Sequence, residues 1–431
     1  MIRGSWSHGT KAGLLCVLAL LAYYRALFYP FIADDYIQIR WARVFTPPEN
    51  WGDLAADPIA RCRTTSLFVT AATDQLFGLN PVAYNASSVI LHAILAILVL
   101  ALGRSLGFSP AVSVAAAGFY AVYEGHQEAV IWYAALPEQL VVIFAVLSLL
   151  LWTRWVRGEG GWRYYAGSLA AFVLALFSKE SSVAVVPLLL LIAWWRHSQP
   201  WRKVLGAAVP YAALAAVYAA FIFLARDRHG FFHDGTFVLS WGFLEVIPHS
   251  MARMRFFWGF LAALLVGRQR TLAFCLGWMA VALVPYSFIG YMNRVPSRHT
   301  YFAAVGLALL VGSGWQVAAE RWRSARPWLA PAVAVLVVFH NCAYLWTRKH
   351  QQYLERAAPT ERLLEHLHAH RQYQGPVWVL NFPYDKHIAY SAVAVATERP
   401  PDSVVISSER PERSGHTLRW NEQRLEFEVE E

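Results

Sequence analysis

The chain has 431 residues, 57% of them hydrophobic and only 15% charged, with a mean hydropathy of +0.36. Soluble domains carry roughly 25% charge and roughly 45–50% apolar residues, so a soluble enzyme, a disordered chain and a disulfide scaffold are excluded. The formal charge of +9 does not indicate nucleic acid, because the basic residues recur in short groups between apolar runs instead of gathering in one segment.

Apolar runs close to the length demanded by a bilayer of roughly 30 Å predict an all-α polytopic membrane protein with about eleven transmembrane helices. In chain order the expected spans are 12–32, 83–103, 110–123, 139–156, 163–178, 181–195, 204–224, 250–267, 271–290, 301–317 and 328–346. The first follows Arg3 and Lys11 without a small-x-small cleavage site, and reads as a retained signal anchor. The cysteines Cys16, Cys62, Cys275 and Cys342 are far apart and form no CxxC, so no metal or disulfide framework is expected. No repeat or low-complexity tract appears.

Positive residues set the orientation. With the N-terminus inside, the inner connections hold Arg104, then Arg154, Arg157 and Arg163, then Arg196, Arg202 and Lys203, then Arg268 and Arg270, and finally Arg321, Arg323 and Arg326. An odd span count then puts residues 347–431 outside. Residues 1–346 form the membrane domain and 347–431 a small α/β appendix. In that appendix an amphipathic stretch near 350–371 precedes a β-like run at Val377–Asn381, an Ala-rich helix near 388–397 and a β-like run at Ser403–Ser407. Residues 421–431 read as a frayed end.

Carboxylates concentrate on the outer side: Asp34, Asp35, Glu49, Asp53, Asp57, Glu124, Glu128, Glu138, Glu180, Asp227 and Asp234. The outer side also carries Arg40, Arg43, Arg61, Arg63, Lys179, Arg226, Arg228, Arg294 and Arg298, against the positive-inside bias. An outer cavity that holds carboxylates and an anion accounts for both sets. Asp34-Asp35 is either a solvated loop start, a general base with a repelling neighbour, or a divalent-cation site. Glu124, His126 and Glu128 share a tight outer turn, either hydrogen-bonded and structural or metal-ligating. Ser178-Lys179-Glu180 places a cation and an anion between two spans, and an ion pair pinning that hairpin is the simpler reading. The Asn85-Ala86-Ser87 sequon opens a span and is discarded.

Taken in order, these segments resemble the C-type (GT-C fold) integral-membrane glycosyltransferases. Within them the chain is most similar to the protein O-mannosyltransferase-like group with its transmembrane and tetratricopeptide-repeat members. Asp34-Asp35 matches the acidic pair that opens the family's first outer loop. Arg63-Thr64-Thr65-Ser66, Phe77-Gly78-Leu79-Asn80-Pro81 and Leu91-His92-Ala93 match a run of the form RPLT…FGLNP…LLHA. His126-Gln127-Glu128-Ala129-Val130-Ile131-Trp132 matches HxEAVxW, followed by the carboxylate Glu138, and Ser178-Lys179-Glu180 matches SKE. Arg298, Tyr301 and Gly306 match RYxYxxxxG. The chain departs from the pattern at Leu136, where members often carry Arg, and in having the small tail instead of tetratricopeptide repeats.

The resemblance implies transfer of mannose or another hexose from a polyprenyl-phosphate sugar to an acceptor hydroxyl, with inversion, at the outer face. It implies a multi-pass protein of the bacterial inner membrane with a periplasmic site, and a protein or glycan acceptor. Asp34 is the expected base, with Asp35 as its partner or a divalent-metal ligand. Glu128, Glu138 and His126 would position sugar or acceptor, and Lys179 and Arg298 would stabilise the leaving phosphate. Arg63, Glu180 and Tyr301 complete the expected substrate-binding set. A secondary transporter or lipid-linked glycan flippase is the rival from another class. Its inverted repeat with broken midplane helices is not visible in the sequence.

Overall fold

The computed structural model describes residues 7–430 except 198, 229, 231–235, 237, 239, 240, 256, 290–295, 324, 325, 374, 398 and 409–415. Asp234 and Arg294 lie outside the described residues. The chain is a bundle of helices with a small sheet at its C-terminal end. Helix α1 (His8–Tyr23) runs on as a 3-10 turn to Phe28, where Pro30 ends it, four residues earlier than expected. Two shorter helices follow, α2 (Asp35–Phe45) and α3 (Trp51–Ala56), and then α4 (Thr64–Phe77), which stops at Gly78. Gly78 has φ +59°, a conformation open to glycine without a Cβ penalty.

The core is built from α5 (Pro81–Ser105), α6 (Pro110–Val122) and α8 (Leu136–Val156), with the short α7 (Gln127–Ile131) in the turn between the last two. Asn80 and Ser109 cap α5 and α6 by accepting from Val82 N (3.1 Å) and Val112 N (3.1 Å), with proline at each first helical position. Then come α9 (Gly161–Leu176), α10 (Val185–Arg196), α11 (Trp201–Leu224), α12 (Phe243–Arg255), α13 (Trp258–Leu265), α14 (Gln269–Leu283) and α15 (Ala304–Trp322). At Gly306 α15 presses on α14: a Cβ there would sit 2.7 Å from the Cys275 carbonyl oxygen, so only glycine fits without a shift. The expected run 250–267 is split between α12 and α13. The other ten expected runs each fall mainly on one helix.

Among the described residues five helical stretches are long and apolar enough to cross a membrane: His8–Phe28, Pro81–Ser105, Tyr133–Val156, Trp201–Leu224 and Leu329–Ala369. Large apolar side chains such as Val209, Phe221, Leu224, Val335 and Phe339 are exposed on these helices. Exposed apolar surface on that scale needs a lipid solvent. This is an integral membrane protein.

The two ends of the bundle differ chemically. At one end cations donate to the carbonyls that helix C-termini leave unpaired: Arg157 to Ser105 O (3.3 Å), Arg196 to Leu106 O (3.0 Å), and Arg270 to Trp194 O (2.8 Å) and Trp195 O (2.7 Å). The acidic residues gather at the other end, as the charge pattern predicts.

Helix α16 (Leu329–Tyr344) continues through a π turn into α17 (His350–Ala369), so the tail is an extension of the last long helix. Strands β1 (Val377–Leu380) and β2 (Val404–Ser407) and helix α18 (Lys386–Ala396) fall where the sequence predicts. Two further strands, β3 (His416–Asn421) and β4 (Glu426–Glu430), were not expected. The sheet order is β2-β1-β3-β4, with β1 parallel to both neighbours and β3–β4 antiparallel. Residues 421–431 are thus not a frayed end through Glu430. β4 alternates Glu with Phe427 and Val429, so its composition looks solvated, yet Phe427 packs on Trp420 (ring centroids 5.1 Å) and Arg419 pairs with Glu430. The tail docks on the acidic end, where Arg43 grips Asp74 with two bonds (2.7 and 2.9 Å) and also reaches Val395 O (3.1 Å).

Candidate active site

A cavity of about 290 Å³ opens at the acidic end, lined by Asp34, Arg63, Glu138, Lys179, Glu180 and Arg298. Trp132, Tyr286 and His299 complete its polar and aromatic wall. Six of the ten expected site residues, from five separate chain segments, therefore share one space. The segments are the start of α2, the turn before α4, the start of α8, the turn after α9 and the 3-10 turn before α15.

The charges pair across segments. Arg63 bonds Glu180 at 2.8 Å, and Lys179 bonds Glu138. The neighbours Lys179 and Glu180 thus face different partners, and the expected ion pair within the hairpin is replaced by two pairs that tie it to α8 and to the turn before α4. Glu138, in the first turn of α8 and 1% exposed, is the hub: one carboxylate oxygen meets Lys179 and His299 Nε2 (3.3 Å), and the other accepts from Tyr286 OH (2.5 Å). Burial alone would raise the Glu180 carboxyl, but Arg63 and Lys179 beside it hold it below its ordinary value.

Asp34 accepts no side-chain hydrogen bond among the described residues and faces the cavity. Burial raises its carboxyl above the ordinary value. The guanidinium groups of Arg298 and Arg356 pull it down in part, and Asp385 adds to the rise. Arg298 sits against Glu128 through a loose ion pair (3.6 Å) and a backbone bond (3.2 Å). Arg298 and Arg356 both lie over the Trp132 ring, at 5.0 and 4.9 Å from its centroid. Glu128 stands behind this wall and does not line the cavity.

Three expected residues lie elsewhere. Asp35 is 1% exposed, with its two oxygens accepting from Ile32 N and Ala134 N, both at 2.7 Å. Burial pushes its carboxyl up to about 8, with Asp34 adding to the rise and the two amide bonds opposing it. Both oxygens are committed, so Asp35 does not fit a metal-ligand role; it locks the acidic turn to the start of α8. His126 is fully buried among Tyr120, Tyr123 and Tyr301, with ring centroids 4.2–5.1 Å away. Tyr301 bonds His92 Nδ1 at 2.7 Å in the same aromatic core. Glu124, in the same turn, receives no metal-like company; its backbone N–H donates to Asn341 Oδ1 (2.9 Å). That turn is structural.

Sequence reasoning missed His299, Tyr286, Trp132 and Arg356. His299 and Trp132 adjoin residues already singled out, so adjacency was an available signal. Arg356 comes from the tail, and nothing local in the sequence ties it to Asp34.

No family model and no curated protein matches the sequence. Solved structures do match. The apo form of the oligosaccharyltransferase of Archaeoglobus fulgidus superposes with a TM-score of 0.55 at 12% identity, covering 93% of this chain and 65% of that one. The same archaeal protein, AglB, in complex with an inhibitory peptide and a dolichol-phosphate gives 0.54 at 12%, covering 91% and 64%. ArnT from Cupriavidus metallidurans bound to undecaprenyl phosphate gives 0.51 at 12%, covering 97% of this chain and 94% of ArnT. The chain spans somewhat less than two thirds of the archaeal protein and nearly all of ArnT. Its fold is the GT-C fold of these membrane glycosyltransferases.

Proposed function

We propose that the chain transfers a sugar from a polyprenyl-phosphate sugar to an acceptor hydroxyl in the outer cavity, by one inverting displacement. The observation that carries this reading is Asp34: a carboxylate that accepts no side-chain hydrogen bond among the described residues and faces the same cavity as Arg298. In the reaction the acceptor oxygen attacks the anomeric carbon and gives its proton to Asp34. The bond from that carbon to the phosphate oxygen breaks, and the electron pair leaves with the lipid phosphate. Arg298 takes the developing phosphate charge, for which a planar guanidinium is suited. Glu138, held by Lys179, His299 and Tyr286, orients the sugar, and no step is routed through a metal.

A lipid phosphate donor fits a protein whose helices expose large apolar side chains. AglB and ArnT were solved with dolichol-phosphate and undecaprenyl phosphate. Mannose or another hexose is the proposed sugar, and a protein or glycan the acceptor. The proposed setting is eleven spans in a bacterial inner membrane, with the cavity on the periplasmic side. The test incubates membranes containing the protein with labelled polyprenyl-phosphate hexoses and follows the label into protein, glycan or lipid. Label that stays on the donor with every hexose, or transfer undiminished in Asp34→Asn at matched expression, would overturn the reading.

A further inference from the structure

The tail carries a second constellation, remote from the reaction just described. His366 lies in the last turn of α17, and His370 follows it at i+4 on the same side. The first residue of β3, His416, completes the group. One ring nitrogen from each lies within 4.8 Å of the others, and this is the only such group of three potential ligands among the described residues. We propose that His366, His370 and His416 form a divalent transition-metal site, with zinc as its cation and one coordination position open to water.

The details suit ligation. The ring Nε2 atoms of His366 and His416 face each other. Two neutral imidazoles in opposite tautomers meet that way through one ordinary hydrogen bond, and a cation bound by the group would take both lone pairs instead. His370 engages the His366 carbonyl through Nδ1 (3.0 Å), which fixes Nδ1 as the protonated atom and leaves Nε2 as the donor. A carbonyl on the far nitrogen is the support that metal-bound histidines ordinarily have. Arg399 is a cation beside the group. Arg399 repels a metal as it repels a proton. However, its guanidinium is engaged with the carbonyls of His370 (2.9 Å) and Tyr373, and one half-buried charge already turned to carbonyls is a small opposing effect beside three metal–nitrogen bonds.

Three neutral nitrogen ligands favour zinc over the oxygen-seeking calcium and magnesium, and three ligands leave a tetrahedral ion one open position. The site would pin the start of β3 to the end of the helix that rises from the membrane.

The experiment uses the full chain in detergent, purified through a histidine-free tag, stripped with a chelator and titrated with zinc. Metal per chain is read by elemental analysis and affinity by competition with a chromophoric chelator. Variants are compared at matched, monodisperse size-exclusion profiles, so that loss of zinc is not loss of fold. The expectation is one zinc per chain, with affinity falling at least about 10–100-fold in each of His366→Gln, His370→Gln and His416→Gln. His126→Gln and His299→Gln should bind zinc normally, which separates this site from the cavity. Zinc should also slow proteolysis of the tail in the native chain and not in His416→Gln. Failure of the native chain to retain zinc, or retention unchanged in the triple His→Gln variant, would overturn the proposal.

Discussion

Glu138 and Lys179 offer a direct test of how the cavity is held together. Glu138 is 1% exposed, and its partner's side chain is 16% exposed, so water screens the pair little. Removing one member of such a buried pair strands the other charge, at a cost of about 3–5 kcal/mol. Glu138→Gln keeps an oxygen able to accept from Tyr286 OH, so its cost should fall near the lower end, about 3 kcal/mol. Lys179→Met leaves the carboxylate with only His299 and Tyr286 and should cost a similar amount. The double variant strands neither charge, and should therefore be less destabilised than the sum of the two by about 1.5 kcal/mol or more. Denaturant unfolding of the four proteins in one detergent gives the cycle. Single costs below about 1 kcal/mol that add to within about 0.5 kcal/mol would show that Glu138 and Lys179 do not act as a pair, and that the cavity wall is held by something else.

Five further outcomes are expected. Asp34→Asn should lower transfer by about 10²–10⁴-fold with insertion and stability unchanged, since the amide cannot take a proton. Because burial raises the Asp34 carboxyl and the base works deprotonated, kcat/KM in the native chain should fall on the acid side through a pKa above the ordinary carboxylate value, and a limb at or below that value would refute the assignment. Arg298→Lys keeps the charge but loses the fork, so the donor KM should rise about tenfold; loss of stability at an unchanged KM would make Arg298 only a partner of Glu128. Arg356→Ala should likewise raise the donor KM, and an effect confined to tail stability would sever the tail from the site. Reporter fusions at Arg157, Arg323 and Gln352 should report inside, inside and outside, and an inside signal at Gln352 would remove the proposed topology.

Periodicity and charge made the bundle legible, because both express rules that act on every residue of a span. Apolar runs became helices, several of the connection arginines became partners of helix-end carbonyls, and six of the expected site residues met in one cavity. What remained hidden depended on contacts between distant segments. Lys179 and Glu180 are adjacent in sequence, and only the fold shows that one faces Glu138 and the other Arg63. Asp35 sits beside Asp34 and looks equivalent on paper; the helix start turns its carboxylate onto two amides and leaves Asp34 facing the cavity. His126 belongs to a motif that suggests ligation, yet aromatic packing fills every side of its ring. β4 was missed for another reason: three of its five residues are glutamates, and pairing with β3 outweighs a composition that reads as solvated.

The pairing also narrows where an anion can dock. Arg63 is held by Glu180 and Lys179 by Glu138, so using either for phosphate would require breaking a buried pair. Lys179, which the sequence pattern assigns to the leaving phosphate, is thereby better placed to fix Glu138. The cations left over are Arg298, whose bond to Glu128 is long at 3.6 Å, and Arg356, which has no ion-pair partner among the described residues. Both flank Trp132, and both act on Asp34. In the proposed reaction, donor phosphate and base therefore belong to the same wall, one from the membrane domain and one from the tail supplying its charge. In that proposal the positive charge that Leu136 does not supply at the start of α8 would come from Arg356 in α17, which lies over Trp132 and acts on Asp34.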